Sequence, residues 1–125
     1  MRLYVVDDAA VMRAAIGHAA RALGHAIVGE AASLQDALAG LAAIVVDAVL
    51  VDGRLPGAQP EAVVRALRFA VPDAAIIVIA ALDETPLVSR ARAAGATGAL
   101  LRPVSRSGLA IALALTPGDS ANASA

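Results

Sequence analysis

The 125-residue sequence contains no cysteine and no lysine. Without cysteine there is no disulfide framework, no thiolate nucleophile and no Cys-based metal site. All ten basic residues are arginine, so any mechanism that needs a lysine ammonium is excluded. Aromatic side chains are nearly absent: Tyr4 and Phe69 are the only two. Excess positive charge is missing as well. Net charge is −1 and the arginines form no basic patch, which removes the footprint of a nucleic-acid binder. No apolar run is long enough to span a bilayer, because Asp47 and Asp52 interrupt one candidate while Asp73 and Asp83 bound the other. The opening Met1-Arg2-Leu3-Tyr4 does not read as a signal peptide, since acids follow at Asp7 and Asp8. The expectation is a cytoplasmic domain with no membrane and no direct nucleic-acid partner.

What the sequence does have is 59% hydrophobic residues against 17% charged ones, a balance that excludes disorder for most of the chain. Much of that apolar content is alanine. Short Val/Ile/Leu-rich runs at residues 3–6, 26–29, 48–51, 76–79 and 99–101 alternate with helical stretches. Each run is continuous rather than alternating, the pattern of a parallel strand covered on both faces. The helices have readable ends. One runs from about residue 10 to 23 with Gly24 as its stop, and Ser33 caps a second that ends near 42. Pro60 opens the third and Pro72 closes it; Thr85-Pro86 opens the fourth and Gly95 ends it; Ser105 caps the fifth, which reaches about 115. Five β-then-α repeats give an α/β fold, a doubly wound open parallel sheet with helices on both faces. Residues 1–115 are therefore one domain, and the small polar residues 116–125 read as a disordered tail or the start of a linker.

Ligands of such sheets bind outside the carboxyl ends of the strands. There the sequence places Asp7 and Asp8, then Asp52, then Ala80 and Ala81, then Arg102 and Pro103. If the first and third strands are neighbours, three carboxylates converge at one edge. Mutually repelling carboxylates are suited to a hard divalent cation with oxygen ligands, and Mg²⁺ takes one or two carboxylates, a carbonyl and waters. Asp52 leads into the loop Gly53-Arg54-Leu55-Pro56-Gly57, open enough for a large donor to reach an aspartyl nucleophile. A single Asp at a strand end is commonly just a helix cap, and Asp8 can be read that way; Asp47 reads as a loop residue that begins the third strand.

Four segments carry a family resemblance: VVDDAAVMR at 5–13, GHAIVGEAAS at 24–33, DAVLVDGRLPG at 47–57 and AGATGALLRP at 94–103. Over about residues 2–115 the chain resembles the receiver domain of two-component response regulators. The resemblance implies a five-stranded flavodoxin-like sheet of order 2-1-3-4-5. It implies that Asp52 accepts a phosphoryl group from a histidine kinase or phosphotransfer protein. Mg²⁺ would be held by Asp7, Asp8, Asp52 and the backbone carbonyl of Arg54. Arg102 and the Ala81 backbone would contact the phosphoryl group, and the Arg102–Pro103 bond would be cis. Such a domain is a phosphoacceptor rather than an enzyme acting on other substrates.

Departures from the pattern fall on the residues that make receivers switch. Ala80 stands where the family has Thr or Ser, Ala99 where it often has Tyr or Phe, and Arg102 where it has Lys. A planar guanidinium fork does not substitute for a compact ammonium. Arg102 can contact a phosphoryl oxygen, or instead pair with Asp52 or Asp8. The alternative reading is thus a degenerate receiver, a phosphorylation-independent interaction or dimerisation module. An aspartyl phosphatase is disfavoured because Arg54 stands where its general acid belongs, two residues after the nucleophile.

His18 and His25 read as a solvent-facing helix residue and a turn residue. Met12, Arg13 and Ala15 fall on the surface where family members dock the phosphodonor. In the fifth helix Leu109 and Leu113 share one side, with Ile111 and Leu115 nearly opposite. The outward pair suggests a homodimer or partner surface formed with the fourth helix and fifth strand.

Overall fold

The computed structural model describes residues 1–114. Five strands, β1 (Arg2–Val6), β2 (Ala26–Ala31), β3 (Ala48–Asp52), β4 (Ala75–Ala80) and β5 (Gly98–Leu101), alternate with five helices. These are α1 (Ala10–Ala22), α2 (Leu34–Leu41), α3 (Pro60–Ala70), α4 (Thr85–Ala93) and α5 (Arg106–Ala114). All strands pair in parallel, in the order β2-β1-β3-β4-β5. The expected order is therefore the one observed. The separation of domain from tail at 115/116 lies outside the described residues, as does Leu115.

Period-two alternation sorts the strand residues onto two cores. Leu3, Val5, Ala48, Leu50, Ile77 and Ile79 pack with Ile16 of α1 and Leu109 and Leu113 of α5. Tyr4, Val6, Val49, Val51, Ile76 and Val78 pack with residues of α2, α3 and α4. Burial on both faces is why the runs look uninterrupted in sequence. Each large side chain fully buried in this way contributes about 1.5–3 kcal/mol of transfer free energy.

Local signals set most of the helix ends. Ser33 Oγ accepts from the Asp36 N–H at 3.1 Å, and Ser105 Oγ accepts from the Gly108 N–H at 3.0 Å. Gly24 and Gly95 follow their helices with φ of 87° and 121°, the left-handed region that favours glycine. Asp8 does not cap α1; the N-cap is Ala9, with no side-chain cap bond. Ala80 and Asp52 are the last residues of their strands, one position inside the expected loops. Asp47 is the loop residue just before β3, and its carboxylate accepts from the Arg2 N–H at the start of β1 at 2.7 Å.

Arg68 ties four elements together. Its guanidinium donates to the carbonyls of Pro72, Ala74 and Gly95 and to Thr97 Oγ1, joining the ends of α3 and α4 to the starts of β4 and β5.

Candidate functional site

The β1–β3 register brings Val6 opposite Val51, so the next step along both strands reaches Asp7 and Asp52. The strand order reverses here, with β2 on one side of β1 and β3 on the other, and this opens the crevice at the edge. One carboxylate oxygen from each of Asp7, Asp8 and Asp52 lies within 4.8 Å of the other two. Asp8 is exposed, while Asp7 is 1% and Asp52 7% accessible.

Asp7 is held in place from its own loop. Its Oδ1 accepts from the Ala9 N–H at 2.9 Å, and its carbonyl accepts from Arg13 Nη1 at 2.7 Å. Its Oδ2 is buried without a hydrogen-bond partner. Burial pushes the Asp7 carboxyl above the usual range; the charges of Asp52 and Asp8 add to the rise, against the Ala9 amide and Arg102. A buried carboxylate with an unpartnered oxygen, clustered with two other acids, is the donor set a hard oxygen-seeking cation takes. The residues present therefore fit Mg²⁺.

Asp52 uses one oxygen twice: Oδ1 accepts from the Arg54 N–H and from Arg102 Nη2, each at 3.0 Å. Of the two dispositions left open for Arg102, pairing with Asp52 is the one present. The Arg102–Pro103 bond is cis, as the resemblance implied. Behind Asp52, Gly53 donates its N–H to the Ile79 carbonyl at 2.9 Å, and a Cβ there would meet Leu87 Cδ2 at 2.7 Å. A side chain at 53 would have to displace the Leu87 methyl and crowd the Ile79 carbonyl, 3.1 Å from the Cβ position.

At the end of β4 the Ala81 N–H donates to Glu84 Oε1 at 2.7 Å, and Glu84 Oε2 pairs with Arg54 Nε. Glu84 is 9% accessible. The Ala81 amide, together with Arg54 and Arg102, holds its carboxyl below the usual range against the opposing effect of burial. Ala80 is fully buried and brings no hydroxyl. Ala99 lines a groove of about 280 Å³ with Leu82, Thr85, Val88 and Leu101. In α5, Leu109 and Leu113 are buried and Ile111 is 65% exposed, matching the expected split of faces. His18 is exposed and His25 half-buried.

Sequence reasoning missed Glu84 and the Arg54 side chain. A glutamate three residues past an amide is the spacing of a capping box and was a usable local signal. The pairing with Arg54, thirty residues away, had no sequence signal. Arg13, expected on a docking surface, is committed to the Asp7 carbonyl and to Glu30 Oε1 at 2.9 Å.

A parallel five-stranded sheet of order β2-β1-β3-β4-β5 with acids gathered at its carboxyl edge defines a flavodoxin-like domain. The response regulator receiver domain model matches residues 3–114, and the chain belongs to that family. It is 32% identical over 117 residues to the transcriptional regulatory protein PdtaR of Mycobacterium tuberculosis, covering 91% of this chain and 55% of that one. It is 33% identical over 101 residues to the response regulator UvrY of Escherichia coli, covering 80% and 46%. The chain thus spans about half the length of the curated relatives it matches. Among solved structures, the signal receiver domain of the response regulator NarL from Mycobacterium tuberculosis superposes with a TM-score of 0.79. That pair shares 32% identity over 90% of this chain and 91% of the other. The chain is accordingly a receiver domain of two-component signalling, and among its described residues no helix is long and apolar enough to cross a membrane.

Proposed function

We propose that this receiver accepts a phosphoryl group on Asp52 from a histidine kinase or phosphotransfer protein in a Mg²⁺-dependent reaction. The observation that carries the proposal is the buried, unpartnered Oδ2 of Asp7 within a cluster that includes Asp52 and Asp8. Asp7, Asp8, Asp52 and the Arg54 carbonyl would hold the cation, whose charge, when bound, offsets that of the phosphoryl oxygens. The Asp52 carboxylate supplies the nucleophilic oxygen, and the Arg54 N–H orients it. Arg102 already lies beside that carboxylate and would turn to a phosphoryl oxygen once the transfer is made. The bond to phosphorus forms as the donor's P–N bond breaks, the electron pair leaving on the imidazole. As a phosphoacceptor, the domain catalyses only its own phosphorylation and dephosphorylation.

Ala80 and Ala99 set the output apart. A hydrogen bond to a charged oxygen is worth about 1.5–3 kcal/mol, the size of a typical allosteric coupling, and Ala80 provides none. Switching is therefore atypical. These same residues support the second reading, a phosphorylation-independent interaction or dimerisation module using α4, β5 and α5 around Ile111. Incubation with phosphoramidate and Mg²⁺ separates the two. Hydroxylamine-labile phosphate on the protein supports the acceptor; its absence favours the module.

A further inference from the structure

Arg102 follows β5, yet its guanidinium reaches Asp52 at the end of β3. It therefore passes over the end of the intervening β4, where Ala80 and Ala81 lie. The donors gathered there are the Ala81 N–H and two guanidinium groups, and in this state a carboxylate already occupies part of the set. Glu84 takes the Ala81 N–H with one oxygen and pairs with Arg54 through the other. Arg54 in turn holds Asp52 through its backbone N–H, so one residue links the two carboxylates.

A purely local role does not account for this arrangement. Glu84 is the N-cap residue of α4 without a side-chain cap bond, and its carboxylate turns instead to an amide outside the helix and to a guanidinium from another loop. We propose that Glu84 is a carboxylate latch, held on Ala81 and Arg54 in the unphosphorylated domain and displaced when Asp52 carries a phosphoryl group. The inference rests on the phosphoacceptor reading and specifies its regulation. A phosphoryl group on Asp52 brings further negative charge and strong acceptor oxygens to the same donors, and like charges repel. Expulsion of Glu84 frees loop 81–84, which leads into α4. The state of Asp52 then reaches α4 without a hydroxyl at position 80 or an aromatic ring at position 99.

The test compares wild type, Glu84→Ala and Glu84→Gln with acetyl phosphate and Mg²⁺, following adduct formation by intact mass. In this reaction an Asp52 oxygen bonds to phosphorus as the P–O bond to the acetyl group breaks, its electron pair leaving with acetate. Hydrogen exchange of the Ala81 amide is read on the unphosphorylated proteins. The latch requires Glu84→Ala to form the adduct about tenfold faster than wild type, the effect of losing one charge-assisted hydrogen bond. Its Ala81 amide should also exchange faster. Glu84→Gln keeps volume and acceptor but not charge, and should fall between them, which keeps the test valid if Glu84→Ala folds poorly. Equal or slower adduct formation in both variants would overturn the latch while leaving the acceptor reading intact. No adduct on any of the three proteins would remove the acceptor reading, and the latch with it.

Discussion

Arg102 places Nη2 3.0 Å from Oδ1 of Asp52, so in this structure a guanidinium neutralises the proposed phosphoacceptor. Asp52 is 8% and Arg102 30% accessible at the side chain, which leaves the pair partly shielded from water. The same oxygen also receives the Arg54 N–H. The guanidinium and a divalent cation would act on the same carboxylate with charges of the same sign.

Replacing Arg102 with Ala removes that competing charge. Mg²⁺ affinity measured by calorimetry should rise by roughly threefold to tenfold. The cation-free domain should lose about 1–3 kcal/mol in urea unfolding, because Asp52 then faces Asp7 and Asp8 without its partner. Unchanged affinity together with unchanged stability would show that the pair has no energetic weight.

Asp7 gives a pH dependence with a definite sign. Its carboxyl is raised above the ordinary 3.8 by burial and neighbouring acids. A raised folded value favours folding below the unfolded value, and that contribution is lost as pH rises through the folded value. At neutral pH without a divalent cation, ionised Asp7 therefore weakens the fold. Asp7→Asn should melt a few degrees above wild type in EDTA at pH 7, with the gap closing toward pH 4. Adding Mg²⁺ should raise the melting temperature of wild type more than that of the variant.

Gly53 follows Asp52 and lies under Leu87. A methyl group at 53 meets Leu87 Cδ2, so Gly53→Ala should cost about 1–3 kcal/mol of overpacking. In a Leu87→Ala background the same change at 53 should cost less. A double-mutant cycle then shows a favourable coupling; strict additivity would mean that the strain lies elsewhere.

Ile111 tests the surface of α5. At 65% exposure it can take a charge without disturbing Leu109 or Leu113 on the buried side. Ile111→Glu should leave the melting temperature within experimental error and move any dimer seen by light scattering toward monomer. Stability and oligomeric state both unchanged would rule this face out.

How much of this was legible in the sequence depends on the range of each interaction. The strands were legible because residues such as Ile76 and Ile77 bury side chains on opposite faces and so write continuous apolar runs. Ser33, Ser105, Gly24 and Gly95 act within one helical turn, and they were legible for that reason. Asp7 and Asp52 could be brought together once β1 and β3 were taken as neighbours, since parallel register does the rest. Two of the arginines were not legible. Arg68 and Arg54 find partners across the fold, chosen by tertiary packing and the reach of a guanidinium, and no periodicity records that choice. Asp8 was open to a capping role, but α1 starts at Ala10, so the N-cap position falls to Ala9 and no side chain caps the helix.

The central claim is that Asp52 is a Mg²⁺-dependent phosphoacceptor, and intact mass after incubation with acetyl phosphate tests it most directly. Wild type with Mg²⁺ should gain one phosphoryl group, about 80 Da by atomic mass, as expected for a single aspartyl phosphate. Asp52→Asn should gain none, and neither should wild type in EDTA. An adduct that persists on Asp52→Asn, or none on wild type despite saturating Mg²⁺, would contradict the account.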